Sequence, residues 1–311
     1  MNKEEIERKI ADAGDLHWYH RFEVIKGSGV YTPGQLSVDY HGRLKWLELE
    51  PDFFKGKRVV DVGAFSGAFS FFLEECGAEV VAVDVFDPKY NGFNLVHECR
   101  GSKVRHIIAS VYDLNPVDFG YFDIVAFYGV YYHLKHPLLA FERLNSVCKE
   151  DGLLIGGGTC CDRWFHDDHP SCLNGVDLSR IKKRDIRDKK VLNVECLNDL
   201  PLTGFAPGQQ FRDSSNWFIP NVECIKSWID CSGFEVKKVS HYAAPIAREW
   251  NKKGILRSTM RFKAVKKGLP AEEYTSERMH QYTIPTAFEL RRAEKKIKEL
   301  EERLKKHENG I

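Results

Sequence analysis

The stretch Lys57-Arg58-Val59-Val60-Asp61-Val62-Gly63-Ala64-Phe65-Ser66-Gly67, followed by Ala82-Val83-Asp84, decides how this chain reads. An apolar run ending in a glycine turn predicts a strand feeding a helix, with a carboxylate at the tip of the next strand. That layout is the crevice at the carboxyl ends of parallel strands where nucleotides bind. Gly63 and Gly67 let the backbone turn sharply and approach a ligand closely. Asp84 lies 21 residues beyond Gly63, the separation expected of an acid that bonds a pair of ribose hydroxyls. A dinucleotide would need G-x-G-x-x-G, with its pyrophosphate at the helix N-terminus. Here the glycines are spaced Gly63-x-x-x-Gly67, and Phe65 stands where a bulky ring obstructs a pyrophosphate. A ligand without phosphates tolerates that ring. The plain alternative is a strand, turn and helix with no ligand, which the joint occurrence of the glycine spacing and the distal Asp disfavours.

The chain has 311 residues, enough for one large core or two smaller ones. Hydrophobic residues make up 43% and charged residues 29%, an ordinary balance for a globular protein. A net charge of +1 gives no overall pull toward nucleic acid or membrane, although a local basic patch stays compatible with it. The opening Met1-Asn2-Lys3-Glu4-Glu5 has no apolar core of a signal peptide, and no apolar run reaches the roughly 20 residues that span a bilayer. Nine cysteines without a C-x-x-C pair predict reduced thiols and a cytoplasmic setting. Cys160, Cys161, His166, Asp167, Asp168, His169 and Cys172 cluster in sequence, but their spacing matches no zinc template, so no metal site is expected.

On either side of the glycine turn the pattern alternates. Strands are expected at 58–62, 79–83, 104–109, 124–128 and 153–156, with helices at 68–76, 90–100 and 138–147. Such alternation predicts a parallel sheet with right-handed crossovers. Two late strands, 234–241 and 259–265, form a closing hairpin that a dehydrogenase domain lacks. Before the sheet, 2–13 reads as a short amphipathic helix, 16–33 as an aromatic and turn-rich segment, and 44–49 as a helix. Residues 159–220 are poorly periodic, as substrate loops and lids often are. Within them the basic run 180–190 reads as a solvated face rather than an RNA site. From Leu290, apolar or small residues at 290, 293, 297, 300 and 304 trace an a/d pattern barely two heptads long. That tail suits a self-associating or docking helix and a lone solvated helix equally well.

Asp61-Val62-Gly63-x-x-x-Gly67 resembles motif I of the class I methyltransferases, whose donor, S-adenosylmethionine, carries no phosphate. The resemblance implies that Asp61, Gly63, Ala64, Phe65 and Gly67 line the methionine part, and that Asp84 holds the ribose. The turn after the third strand, Ser110-Val111, should offer backbone groups to the adenine, and Tyr128, which ends the fourth strand, should lie beside the cofactor. Tyr132 and His133, just beyond, should face the reacting methyl group. His133 is a candidate general base near neutral pH, with a helix-capping role as its alternative. His20 is the second candidate base. Trp18, with Tyr19 and His20, is expected to form a lid, while Asn216 and Trp217 should contact substrate and Phe218 should pack. Asn221 is a natural N-cap for a helix over 222–231.

The run G-V-Y-Y-H-x-x-x-P-L at 129–138, with N-W-F-I-P-N at 216–221 and W-I-x-x-x-G-F at 228–234, resembles the tRNA wobble-uridine (carboxy)methyltransferases and their small-molecule and glycan methyltransferase relatives. The similarity covers residues 18–265. It implies that Tyr132, and plausibly Lys26, hold an extra carboxylate on the cofactor, with carboxy-S-adenosylmethionine as the less favoured donor. The family's partner Arg has no clean match, although Arg257 and Arg261 are near. Gly-Ala-Phe-Ser-Gly replaces the family's G-C-G-S-G, Gly156-Gly157-Gly158-Thr159 replaces an acidic ending, and the family's larger N-terminal extension is not expected. The expectation is therefore an α/β fold, a seven-stranded doubly wound Rossmann-like methyltransferase sheet with an inserted substrate segment at 159–220 and a C-terminal helix. Residues 1–50 would be an N-terminal lid, 51–268 the catalytic domain and 269–311 an extension through which the chain could self-associate. The expected activity is O-methylation of a small molecule or glycan, less readily N-methylation. RNA modification is the runner-up.

Overall fold

The computed structural model describes residues 1–162, 182–184, 191–193, 200–205, 215–243 and 258–270. Most of the basic run, the heptad-like tail and the histidines of 166–169 lie outside them, as does Arg257. The described residues fall within one contact unit, Met1–Pro270.

Two helices precede the sheet. The first, α1 (Lys3–Asp12), starts at a capping box in which Asn2 Oδ1 accepts from Glu5 N–H and the Glu5 carboxylate accepts from Asn2 N–H. The second, α2 (Tyr40–Leu47), begins four residues before the expected 44 because the Asp39 carboxylate accepts from Gly42 N–H and caps it there. The alternating part then runs β1 (Arg58–Val62), α3 (Ala68–Glu75), β2 (Glu79–Asp84), α4 (Phe93–Arg100), β3 (Arg105–Ile108), α5 (Pro116–Phe119), β4 (Phe122–Tyr128), α6 (Pro137–Val147) and β5 (Cys148–Cys160). The short α5 was not expected. Asn115 caps it through two backbone N–H groups and Pro116 opens it, a start signal with too few residues behind it to show periodicity.

Within the insertion, β6 (Lys182–Arg184) pairs with β7 (Val191–Asn193), and β8 (Thr203–Phe205) pairs with β9 (Phe218–Pro220). After them come α7 (Val222–Cys231), β10 (Phe234–Ala243) and β11 (Ser258–Lys266). The main sheet has seven strands in the order β10-β11-β5-β4-β1-β2-β3. Strands β1 to β5 pair in parallel, and β11 lies antiparallel between β5 and β10. This is the seven-stranded doubly wound sheet expected from the alternation and the late hairpin. β5 outruns its expected 153–156 because it pairs with β11 all the way from Leu153 to Cys160.

Both faces of the sheet are covered, so its central strands are apolar on both sides. Val60, Val62, Val125 and Phe127 pack toward Phe141, Leu144 and Ile225 of α6 and α7. Val59, Ile124 and Ala126 face the other way, toward Phe69, Leu73 and Val96 of α3 and α4 and Leu44 and Leu47 of α2. The glycine run in β5 is explained by crowding: a Cβ on Gly158 would lie 2.8 Å from Tyr132 and 3.0 Å from Tyr131. No helix of the described residues is long and apolar enough to cross a membrane.

A buried lysine ties the end of β11 to the α6–β5 junction. Lys266 Nζ donates to the carbonyls of Asn145 (3.2 Å) and Cys148 (3.0 Å) and pairs with Glu150 at 3.0 Å. The Glu150 side chain is 72% exposed, so the ion pair contributes little beside the two buried carbonyl bonds. Lys266→Met should cost about 1–3 kcal/mol in denaturant titration, while Glu150→Gln should stay within about 1 kcal/mol of the parent.

Candidate functional site

The turn after β1 is held by the tip of β2. Gly63 N–H and Ala64 N–H donate to Val83 O at 2.8 and 3.3 Å. Gly63 takes φ +80°, and a Cβ there would lie 2.3 Å from Val130 Cγ2, so the turn can close against the β4 loop only with glycine. Phe65 also adopts a left-handed conformation, φ +48°, which costs a non-glycine residue roughly 1–2 kcal/mol. Three bonds hold it there. Phe65 N–H donates to Asp84 Oδ2 at 2.7 Å, Asn91 Nδ2 donates to Phe65 O at 2.9 Å, and Phe86 N–H donates to Asp84 Oδ1 at 2.9 Å. The Phe65 ring meets His17, Tyr19 and Phe86 edge-on at 5.6, 6.3 and 5.6 Å.

Asp84 is thus already engaged through both oxygens, each of which keeps a further lone pair for a ligand hydroxyl. Beside it lie three exposed apolar side chains, Val85 (62%), Phe86 (56%) and Ile108 (56%), the last in register with Asp84 on the neighbouring strand. Exposed apolar groups gathered at a strand edge suit a flat, weakly polar ligand such as a nucleobase. At the next turn the Val111 side chain is buried in the core, the Ser110 hydroxyl accepts from Tyr112 N–H and Asp113 accepts from Ser110 N–H. The sequence signal for Val85 and Phe86 was their apolar character directly after the strand-end acid.

Across β1 from Asp84, at the end of β4, the Arg43 guanidinium lies 4.0 Å over the Tyr128 ring and 5.3 Å from the rings of Tyr40 and Phe69. Its Nε is buried and bonds to nothing among the described residues. Asp61 sits below, fully buried, accepting from the Ser70 hydroxyl at 2.6 Å. Burial pushes its carboxyl up to about 6, with the Ser70 bond and the Arg43 charge opposing the shift. His20 moves the other way: burial first, and Arg43 second, pull it down to about 4. A histidine held neutral by burial is a weak proton acceptor, which favours His133 over His20 as the candidate base.

Lys26 lies in a groove along α3 that Tyr40 and Ala68 also line. Arg100, at the end of α4, donates to Glu23 O (2.7 Å) and Val24 O (2.6 Å), and the Glu23 carboxylate accepts from Gly27 and Gly29 N–H. The loop is therefore tied down near the end of α3, and Lys26 shares a groove with Phe72, Glu75 and Arg100. Trp18 packs rather than covers: its ring fills the space over Gly92 at the start of α4, where a Cβ would lie 2.2 Å away. His17 and Tyr19, its neighbours, are the residues that reach Phe65.

The segment beyond β4 and the segment before β9 meet at a third cluster. Tyr131 donates its hydroxyl to Thr159 O at 2.7 Å, which anchors the turn on β5. Tyr132 is 8% exposed, with its ring centroid 4.3 Å from that of His133. Trp217 N–H donates to Tyr132 O at 2.8 Å, and Ser215 Oγ lies 2.9 Å from His133 Nδ1. Lys135 Nζ stands 4.4 Å over the Trp217 ring, and Asn216 is buried between them in sequence. Tyr132, His133, Asn216 and Trp217 are thus brought together across about eighty residues of chain. Ser215 was missed, since nothing local marks a serine as the partner of a distant histidine. Phe218 packs on Phe205 at 5.0 Å, and Asn221 caps α7 by accepting from Cys224 N–H at 2.9 Å. Among the described residues, no group of three His, Cys, Asp or Glu could hold a metal ion.

Residues 40–156 match the family model described as a methyltransferase domain. The tRNA U34 carboxymethyltransferase of Syntrophotalea carbinolica is 22% identical over 205 residues, 64% of this chain and 52% of that protein. The protein of the same name from Geobacter sp. (strain M21) is 24% identical over 234 residues, 72% of this chain and 61% of its own. The chain thus spans about half to three-fifths of the length of these curated relatives. Among solved structures, the N-terminal domain of EvdMO1 in the presence of SAH and D-fucose has a TM-score of 0.55 at 15% identity, covering 86% of this chain and 98% of that one. An S-adenosylmethionine-dependent methyltransferase from Mesorhizobium loti has a TM-score of 0.50 at 13% identity, over 73% and 98%. Residues 40–156 thus match a methyltransferase domain, and the described residues take the class I methyltransferase fold.

The buried Asp61 leads to a test of stability. Folded, it keeps its proton up to about pH 6, whereas the unfolded side chain loses it near 3.8, so stability falls as pH rises through that window. The total is roughly 3 kcal/mol. Asp61→Asn keeps an acceptor for Ser70 and cannot ionise. Its melting temperature relative to the parent should rise progressively between pH 4 and pH 7 and level off above.

Proposed function

We propose that this chain transfers a methyl group from S-adenosylmethionine to an oxygen of a small molecule or glycan. The observation that carries the reading is the division of one crevice into two unlike halves. On the β2 side, Asp84 and the exposed Val85, Phe86 and Ile108 suit an adenosine. On the β4–β5 side, Tyr132, His133, Ser215 and Trp217 form a polar, aromatic pocket suited to an acceptor. Phe65, set in the turn where a pyrophosphate would pass, argues for a donor without phosphates. The donor supplies an electrophilic sulfonium methyl group.

The chain's own residues align the acceptor and remove a proton. His133, oriented by its hydrogen bond with Ser215 Oγ, is the group that takes the proton of an acceptor hydroxyl as the new O–C bond forms and the S–C bond breaks. Trp217, fixed by its backbone bond to Tyr132, offers an aromatic wall of the kind sugars stack on, and Lys135 above it adds a positive charge.

A second reading is RNA modification, favoured by the curated names of the 22–24% identical relatives. The position of Lys26 beside Glu75 weakens the case for a carboxylated donor.

Calorimetry should show that the protein binds S-adenosylhomocysteine and not NAD; NAD binding in its place would sink the methyltransferase reading. Turnover assayed by mass spectrometry on sugar, phenolic and unmodified tRNA acceptors should give a product mass increase of one methyl group on the first two classes alone. Modified tRNA would establish the second reading. On a productive acceptor, His133→Asn should lower kcat about 10²–10⁴-fold while leaving S-adenosylhomocysteine affinity within about twofold. Ser215→Ala should have a smaller effect in the same direction.

A further inference from the structure

We infer that Arg43 is the carboxylate anchor of the crevice and grips the α-carboxylate at the amino-acid end of the donor. This rests on the adenosyl donor proposed above. Neither the glycine motif nor the Tyr132-His133 segment marks it.

The first observation is a guanidinium with no hydrogen-bonded or ion-paired partner among the described residues. Arg43 is half-buried, its Nε is shielded from solvent, and no hydrogen bond or carboxylate reaches the guanidinium among the described residues. Tyr40, Phe69 and Tyr128 surround it with ring faces, which compensate a desolvated guanidinium only in part. Arginines so placed are normally completed by a carboxylate or phosphate held through two parallel N–H bonds. The nearby acid does not fill that role. Asp61 feels the Arg43 charge but is turned to Ser70 in the core and makes no ion pair or hydrogen bond with the guanidinium.

The second observation is position. Tyr128 ends β4, and Asp84 ends β2, with β1 and its Gly63 turn between them. Adjacent strands lie about 4.8 Å apart, so the two flanks of the crevice are separated by about 10 Å. An adenosyl ligand with its ribose on Asp84 has an amino-acid arm that extends across Gly63 toward the Tyr128 flank. The aromatic cage puts a positive charge where that arm ends. A phosphate is the other partner an arginine would accept, but Phe65 obstructs a pyrophosphate in the intervening turn.

The third observation is rigidity. Asp39 caps the start of α2, and Lys263 Nζ donates to Leu47 O at its end, so the helix bearing Arg43 is tied to β11. Phe69, in the first turn of α3, packs against both Tyr40 (5.2 Å) and Tyr128 (5.4 Å). The guanidinium is thereby held over one place rather than swinging on a free stem. Such pre-organisation is what a binding charge needs.

The test separates a donor carboxylate from an acceptor carboxylate and from a merely structural role. Calorimetry on the full chain would compare S-adenosylhomocysteine with 5′-methylthioadenosine, which keeps the adenosine and the sulfur and lacks the amino-acid arm. Arg43→Met, which keeps the apolar stem, should weaken S-adenosylhomocysteine about 10–100-fold and leave 5′-methylthioadenosine within about twofold. Arg43→Lys should recover part of the loss. Equal weakening of both ligands would mean that Arg43 only supports the crevice wall, and unchanged S-adenosylhomocysteine affinity would assign it to the acceptor. Either result overturns the inference while leaving the methyltransferase reading in place. A parent protein that binds neither adenosyl ligand would overturn both.

Discussion

A single carboxylate ties the crevice together. Asp84 accepts from Phe65 N–H with one oxygen and from Phe86 N–H with the other, so the turn after β1 and the turn after β2 share one anchor. Charge-assisted bonds to backbone N–H groups are short and directional, and the group is 7% exposed. That anchor offsets the left-handed strain at Phe65 and sets the ring against His17, Tyr19 and Phe86. It also aims the remaining carboxylate lone pairs outward. One residue therefore shapes the floor of the site and presents its polar handle.

From this anchor the site divides along the sheet. Toward β3 the surface is apolar and open, through Val85, Phe86 and Ile108. Toward β4 and β5 it becomes polar, aromatic and charged, through Tyr128, Arg43, Tyr132 and His133. The parallel strand order produces that asymmetry, because each strand end contributes one loop and the loops differ in composition. Gly158 of β5 leaves room for Tyr131 and Tyr132, so that the turn carrying His133 can settle onto the sheet edge.

Much of this was legible locally. The β1 turn, Asp84 and the Tyr132-His133 segment sit at strand ends, and a strand end followed by a loop is encoded within a dozen residues. The helix capped by Asn221 was equally plain, because a cap and an amphipathic turn are short-range features. The places of Lys26 and Trp18 were not legible, for the opposite reason. Where the first forty residues thread is decided by bonds to distant elements: Arg100 holding Glu23 and Val24, and Tyr90 O accepting from His17 N–H.

By itself the sequence determined the layered α/β fold, the order of its elements, and the turn after β1 with its strand-end acid. Alternating apolar runs, glycine turns and strand-end acids act through local backbone geometry, which a contiguous stretch specifies. Only the tertiary structure decided which side chains share a site. It set Ser215 against His133 across 82 residues and placed Arg43 over Tyr128 from a helix that precedes the sheet. Those pairings arise from how loops and helices pack on a finished sheet, where burial and unpaired charge select the partner and sequence spacing carries no trace of it.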